Sequence, residues 1–153
     1  MKTFLTIFAF TVVIAGCAHK SAFESFNISK EQERSEDLIQ SSKIKSDDKT
    51  IGIVSAVYLN KIKPDKFKEN EYFYIASFVK KEYPQNLGFY LNKHKALNVK
   101  ELNTTNEFTS LMQIDADWYR YYLVSFKKEG SLLRLEVKNQ AGSSQPMLFN
   151  KEE

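Results

Sequence analysis

The chain is poor in the residues that usually carry chemistry or staple a small domain: its 153 residues include one cysteine, two histidines, one tryptophan, three prolines and five glycines. A single cysteine excludes an intrachain disulfide, so the fold has to rest on an apolar core. Neither His19 nor His94 has a carboxylate or thiol at ligand spacing, which leaves no zinc pattern. A hydrolytic triad needs a histidine oriented by an acid, and His94, set between Lys93 and Lys95, reads as a solvated surface residue. Glycine-rich phosphate loops are absent. The acidic pairs Asp47-Asp48 and Asp115 with Asp117 lack the further oxygen ligands and the glycine of a calcium loop. An excess of one charge is missing too: 22 basic against 19 acidic side chains give a formal net charge of +3, which makes no electrostatic case for nucleic acid. The composition points away from an enzyme, a metal protein or a cofactor carrier.

What is present is most specific at the N-terminus. Lys2 opens an apolar run from Thr3-Phe4-Leu5 to Val12-Val13-Ile14, closed by Ala15-Gly16 before Cys17. A charged start, an apolar stretch and small residues are the three parts of a secretory signal peptide. The run is shorter than the about 20 apolar residues a membrane span needs. Ile14-Ala15-Gly16-Cys17 resembles the bacterial lipobox, whose cysteine is acylated and becomes the new N-terminus. The resemblance implies cleavage after residue 16 and a lipid anchor at Cys17, effectively permanent because each buried methylene contributes about 0.8 kcal/mol. Ala18, where an aspartate often signals inner-membrane retention in such lipoproteins, implies an outer-membrane location, on the periplasmic or the cell-surface face.

Residues 17–48 are dense in Ser, Lys, Glu and Asp and read as a polar tether. Ser29 and Gln32 have capping-box spacing, which predicts a short helix over Lys30 to Gln40. Residues 49–153 read as the domain, built of short β-branched and aromatic runs. Strands are predicted over Ile51 to Leu59, Glu71 to Val79, Gly88 to Leu91, Glu107 to Met112, Trp118 to Lys127, Ser131 to Lys138 and Met147 to Asn150, the last an edge strand after Pro146. Trp118 to Lys127 and Ser131 to Lys138 are expected to form a hairpin, with Gly130 taking positive φ. About seven strands and few helices predict an all-β sandwich or barrel.

Asp115-Ala116-Asp117-Trp118-Tyr119-Arg120-Tyr121 resembles the corner before the sixth strand of immunoglobulin-like domains, with Asp115 and Tyr119 matching and Tyr121 in the cysteine position. That resemblance implies an immunoglobulin-like β-sandwich of about seven antiparallel strands without its disulfide, the Tyr119 hydroxyl satisfying backbone groups. Lipobox, tether and cysteine-free sandwich together resemble the small outer-membrane lipoproteins of Campylobacter-type bacteria, a likeness that implies no activity.

With Tyr119 and Tyr121 directed inward, alternation sends Tyr122, Val124 and Phe126 outward. The second strand is apolar on both faces, one carrying Tyr72, Tyr74 and Phe78. An outward patch of Tyr72, Tyr74, Phe78, Tyr122, Val124 and Phe126 is the expected binding surface, unless the segment around Phe23, Phe26 and Ile28, or a second copy in a homodimer, covers it. Glu101-Leu102-Asn103-Thr104-Thr105 fits the extended acceptor pattern of bacterial N-glycosylation at Asn103, whereas Asn27-Ile28-Ser29 fits only the short form. The function expected is a non-catalytic binding or adhesion module, held to the membrane by its lipid and facing an envelope protein, surface glycans or a host ligand. The alternative is a pilotin-like assembly accessory.

Overall fold

β-Branched and aromatic residues at alternate positions build ten strands in the computed structural model, which describes Ser35 and residues 38–152. They are β1 (Ile39–Ser46), β2 (Lys49–Tyr58), β3 (Glu71–Val79), β4 (Gly88–Leu91), β5 (His94–Lys95), β6 (Asn98–Leu102), β7 (Arg120–Phe126), β8 (Leu132–Lys138), β9 (Ser143–Ser144) and β10 (Met147–Asn150). A one-turn helix α1 (Leu59–Ile62) and a 3₁₀ turn (Thr109–Leu111) complete the described elements. Every pairing is antiparallel, in the order β5-β4-β8-β9-β1-β2-β3-β7-β6, with β10 also on β8. β5 and β6 belong to one run of chain, in which the Ala96 N–H donates to Phe89 O and the Leu97 N–H to Ser125 O. That run bridges the two ends of the path, so the sheet curls like a barrel. The all-β class expected from the sequence is what forms. Its strands form one continuous curled sheet.

The curl encloses the main core. Val54, Ala56 and Tyr58 of β2, Phe73 and Ile75 of β3, Tyr122, Val124 and Phe126 of β7, and Leu133, Leu135 and Val137 of β8 all point into it. A second apolar layer lies outside the same strands. Val57, Tyr74, Ala76 and Tyr121 are covered there by Leu59 and Ile62 of α1, by Phe67, and by Phe108, Leu111 and Met112 of the 103–119 segment. Each large side chain so buried contributes about 1.5–3 kcal/mol, which is why β2, β3 and β7 can be apolar on both faces.

Six of the expected strands appear almost where the alternation placed them, at β2, β3, β4, β7, β8 and β10. The sheet also reaches back into the stretch read as tether: β1 starts at Ile39, and its Ile44 is fully buried. Of the predicted Lys30–Gln40 helix, Ser35 and Leu38 are helical and Ile39 and Gln40 are already strand; its other residues lie outside the described residues. The Glu107–Met112 strand is corrected to a turn. There the Asn106 side chain accepts from the Phe108 N–H (2.9 Å) and the Asn106 N–H donates to Thr109 Oγ1 (2.9 Å), local bonds that compete with a ladder. The β7–β8 hairpin is also corrected. β7 pairs with β3 and β6, β8 with β4, β9 and β10, and Gly130 does not take positive φ. Two-residue hairpin loops occur instead at Asp47-Asp48 between β1 and β2, with Asp47 at φ 51°, and at Asn92-Lys93 between β4 and β5, with φ of 48° and 73° as a type I′ turn requires.

Gly142 leads into β9, where a Cβ would lie 2.0 Å from Lys45 O. Gly142→Ala is expected to cost about 1–3 kcal/mol by pushing β9 off β1, whereas Gly130→Ala, which meets open space, is neutral or slightly stabilising. Urea unfolding midpoints read this directly; equal midpoints for the two variants contradict it.

Candidate functional site

β6 is the most exposed strand of the sheet after the two-residue β5. It bonds to β7 from Asn98↔Ser125 to Leu102↔Tyr121, and no ladder joins its other edge among the described residues. Four of its five residues are exposed and Leu102 is half-buried. Apolar side chains remain in solvent here, with Leu97 52% and Val99 44% exposed, beside the charged Lys100 and Glu101. An unpaired edge is a template for another chain, and flanking charges limit indiscriminate pairing.

Past Leu102 the chain turns through Asn103–Asn106, pinned by Asn106 Nδ2 donating to Asn103 O (2.9 Å). Glu101, Leu102, Asn103, Thr104 and Thr105 form one wall of an open depression of about 660 Å³; Asp117, Tyr119, Arg120 and Tyr121 form the other. Tyr121 holds the second wall down. Its ring is buried, and its hydroxyl accepts from the Ala116 N–H (3.1 Å) and lies within donating distance of Ile114 O (3.1 Å). The backbone-satisfying tyrosine is therefore Tyr121, two residues beyond the Tyr119 that the corner pattern indicated. Between Asp117 and Tyr119 stands Trp118, 70% exposed and the only tryptophan.

The six residues expected to form an outward patch do not share a surface. Tyr122, Val124 and Phe126 point into the enclosed core, the reverse of the parity inferred from Tyr119 and Tyr121. Tyr74 faces outward but is fully buried beneath Phe108, with ring centroids 5.4 Å apart. Tyr72 and Phe78 are half-buried, against Phe67 and Tyr119 respectively. The 103–119 segment and α1 supply the cover. Asn103 and Thr105 are exposed. Cys17, the signal sequence, Asn27 and the Phe23, Phe26 and Ile28 segment lie outside the described residues.

Sequence reasoning missed a buried ionic cluster at one end of the curl. Glu71 opens β3 with no exposed surface. Its carboxylate accepts from Tyr58 Oη (2.5 Å), Lys151 Nζ (2.5 Å) and the Glu129 N–H (3.1 Å), while Lys151 also donates to Glu129 O (2.6 Å). Burial pushes the Glu71 pKa up, but the bonds from Lys151, Tyr58 and the Glu129 N–H outweigh it and hold the carboxyl below its ordinary value. Burial, reinforced by the neighbouring carboxylate, raises the Tyr58 hydroxyl. The Glu129 carboxylate lies 2.8 Å from His94 Nδ1, and that bond lowers its pKa, so His94 is exposed yet partnered. A lone carboxylate at the head of an apolar strand was the available signal for Glu71. The Glu71 carboxylate is buried and fully partnered, with only Lys151 and Glu129 reaching partly into solvent, which suits holding strands rather than meeting a ligand.

Compared with known proteins, the chain matches no family model, no curated protein and no solved structure.

Because the Glu71 pKa is lower folded than unfolded, its charge contributes stability that is complete above the unfolded value, about 4.3, and is lost as pH falls through the folded one. Glu71→Gln is thus expected to be destabilised at pH 7, with its gap to the unsubstituted protein narrowing below about pH 4. Lys151→Ala, which leaves the buried carboxylate short of its cation, is expected to cost roughly 3 kcal/mol at pH 7. Urea titrations from pH 7 to 3 test both, and a gap that stays constant to pH 3 rejects the assignment.

Proposed function

We propose that this chain is an outer-membrane lipoprotein, acylated at Cys17, whose β domain is a non-catalytic binding module. Its contact surface is the free edge of β6 and the adjoining depression. The partner is an envelope protein or host surface ligand that presents an extended segment, bonding to the β6 backbone by strand addition. The exposed Trp118 carries the reading: large aromatic side chains in solvent are characteristic anchors of interfaces, and this one stands between Asp117 and Tyr119 of the depression's second wall, across from Glu101 to Thr105, while Leu97 and Val99 are exposed at the other end of β6. Lys100, Glu101, Asp117 and Arg120 supply a polar rim. The lipobox-like Ile14-Ala15-Gly16-Cys17 supports the anchor.

Two experiments test this. Cys17→Ala is expected to abolish acylation and move the protein from the membrane to the soluble fraction; unchanged fractionation rejects the anchor. A photo-crosslinking residue at Val99 or Trp118 in intact cells is expected to trap a partner, and the same residue at Lys43 on β1 is not. Equal adducts from all three positions, or none, reject the β6 surface. If the trapped protein is an outer-membrane assembly component, the module acts as an assembly accessory rather than an adhesin.

A further inference from the structure

We infer that Asn103 is the acceptor of an N-linked oligosaccharide. The inference rests on the proposed export of the chain, because the transfer takes place beyond the cytoplasmic membrane. Three features meet at this position. Glu101 and Thr105 place an acidic residue two before the asparagine and a hydroxyl two after it, with no proline between. All three of these residues are exposed. The segment also sits where the chain can be gripped: Asn103 is the first residue past β6, whose other edge carries no ladder among the described residues.

A transferase has to take the acceptor and its neighbours into its own groove, so a buried or doubly paired segment is a poor substrate. Here the ties holding the turn come mainly from two side chains. Asn106 Nδ2 donates to Asn103 O (2.9 Å) and Thr109 Oγ1 to Thr104 O (3.1 Å). The open depression of about 660 Å³ leaves room for a bulky substituent on the Asn103 amide. Asn27 in Asn27-Ile28-Ser29 has Ser25 where the acid would be, so the extended pattern singles out Asn103.

The donor is a lipid-pyrophosphate-linked oligosaccharide. Asn103 Nδ2 attacks the anomeric carbon, forming the C–N bond while the bond from that carbon to the pyrophosphate oxygen breaks. The lipid pyrophosphate leaves with the electron pair, and one amide proton passes to a base of the transferase or to solvent. No oxidant or reductant is involved.

The test uses the chain produced in bacterial cells with a periplasmic oligosaccharyltransferase, its lipid-linked glycan and a control acceptor protein, beside cells with an inactive transferase. Two forms are compared: the native chain, and one in which residues 1–16 are replaced by an ordinary cleavable export signal with Cys17→Ser. Intact mass and the peptide containing residues 101–105 are the readouts. Both forms are expected to gain one glycan on Asn103. The gain is lost in Asn103→Gln and Thr105→Ala, mostly lost in Glu101→Gln, and retained in Asn27→Gln. Thermal melts of the purified variants confirm that they remain folded. An exported chain with unmodified Asn103, in cells whose control acceptor is glycosylated, overturns the inference, as does a glycan on Asn27 alone. Modification of the replaced-signal form while the native form stays unexported refutes the anchor and upholds the glycan site.

Discussion

β3 is apolar on both faces, and a strand of that kind cannot sit in a sheet that shows one side to water. Phe73, Ile75 and Val79 demand an interior, while Tyr74 and Ala76 demand a second cover on the opposite side. The curl of the sheet answers the first demand by enclosing one face of β2, β3 and β7 against β4, β8 and β10. The second is met by α1, the loop after it and the long 103–119 segment, which lay Leu59, Ile62, Phe67, Phe108 and Leu111 over the outside. That segment is thereby fixed in place, and contacts of the Tyr121 hydroxyl on β7 with the backbone at Ile114 and Ala116 fix the loop that holds out Trp118. The exposed surface proposed for binding follows from how the central strand is buried.

The end of the curl is closed by a different interaction. The Glu71 carboxylate gathers a tyrosine from β2, the lysine that follows β10 and a backbone N–H from the β7–β8 crossing. Three separated parts of the chain are tied to one buried charge. Such a site is costly to open, since each partner lost leaves that charge less compensated in a dry environment. It stiffens the end where β7 passes to β8, a connection that cannot be a simple hairpin because the run of β5 and β6 lies between them.

The binding surface lies where the closure is incomplete. The run from His94 to Leu102 serves two neighbours, β4 with its first half and β7 with its second, so one edge of β6 carries no partner strand among the described residues. Curling thus creates both the core and the opening. Natural sheets usually blunt such an edge, and Lys100 and Glu101 do so here in part. Leu97, Val99 and Trp118 remain in solvent all the same.

Read from residue order alone, the all-β class and the places of β2, β3, β4, β7, β8 and β10 were legible, because period-two alternation and turn residues are local signals. The lipobox-like N-terminus and the Glu101-to-Thr105 acceptor pattern were legible for the same reason. The facing of β7 was not: when both faces of a strand are apolar, alternation is satisfied by either parity, and only the cover from residues 103–119 decided that Tyr122, Val124 and Phe126 go inside. Nor could the order of residues tell that β7 and β8 part company, since partners are chosen by closure of the whole sheet rather than by the loop between them. The Glu71–Lys151 pair spans 80 positions. Its meaning, like the exposure of Trp118 at the depression that follows β6, exists only once the chain has brought its distant parts together.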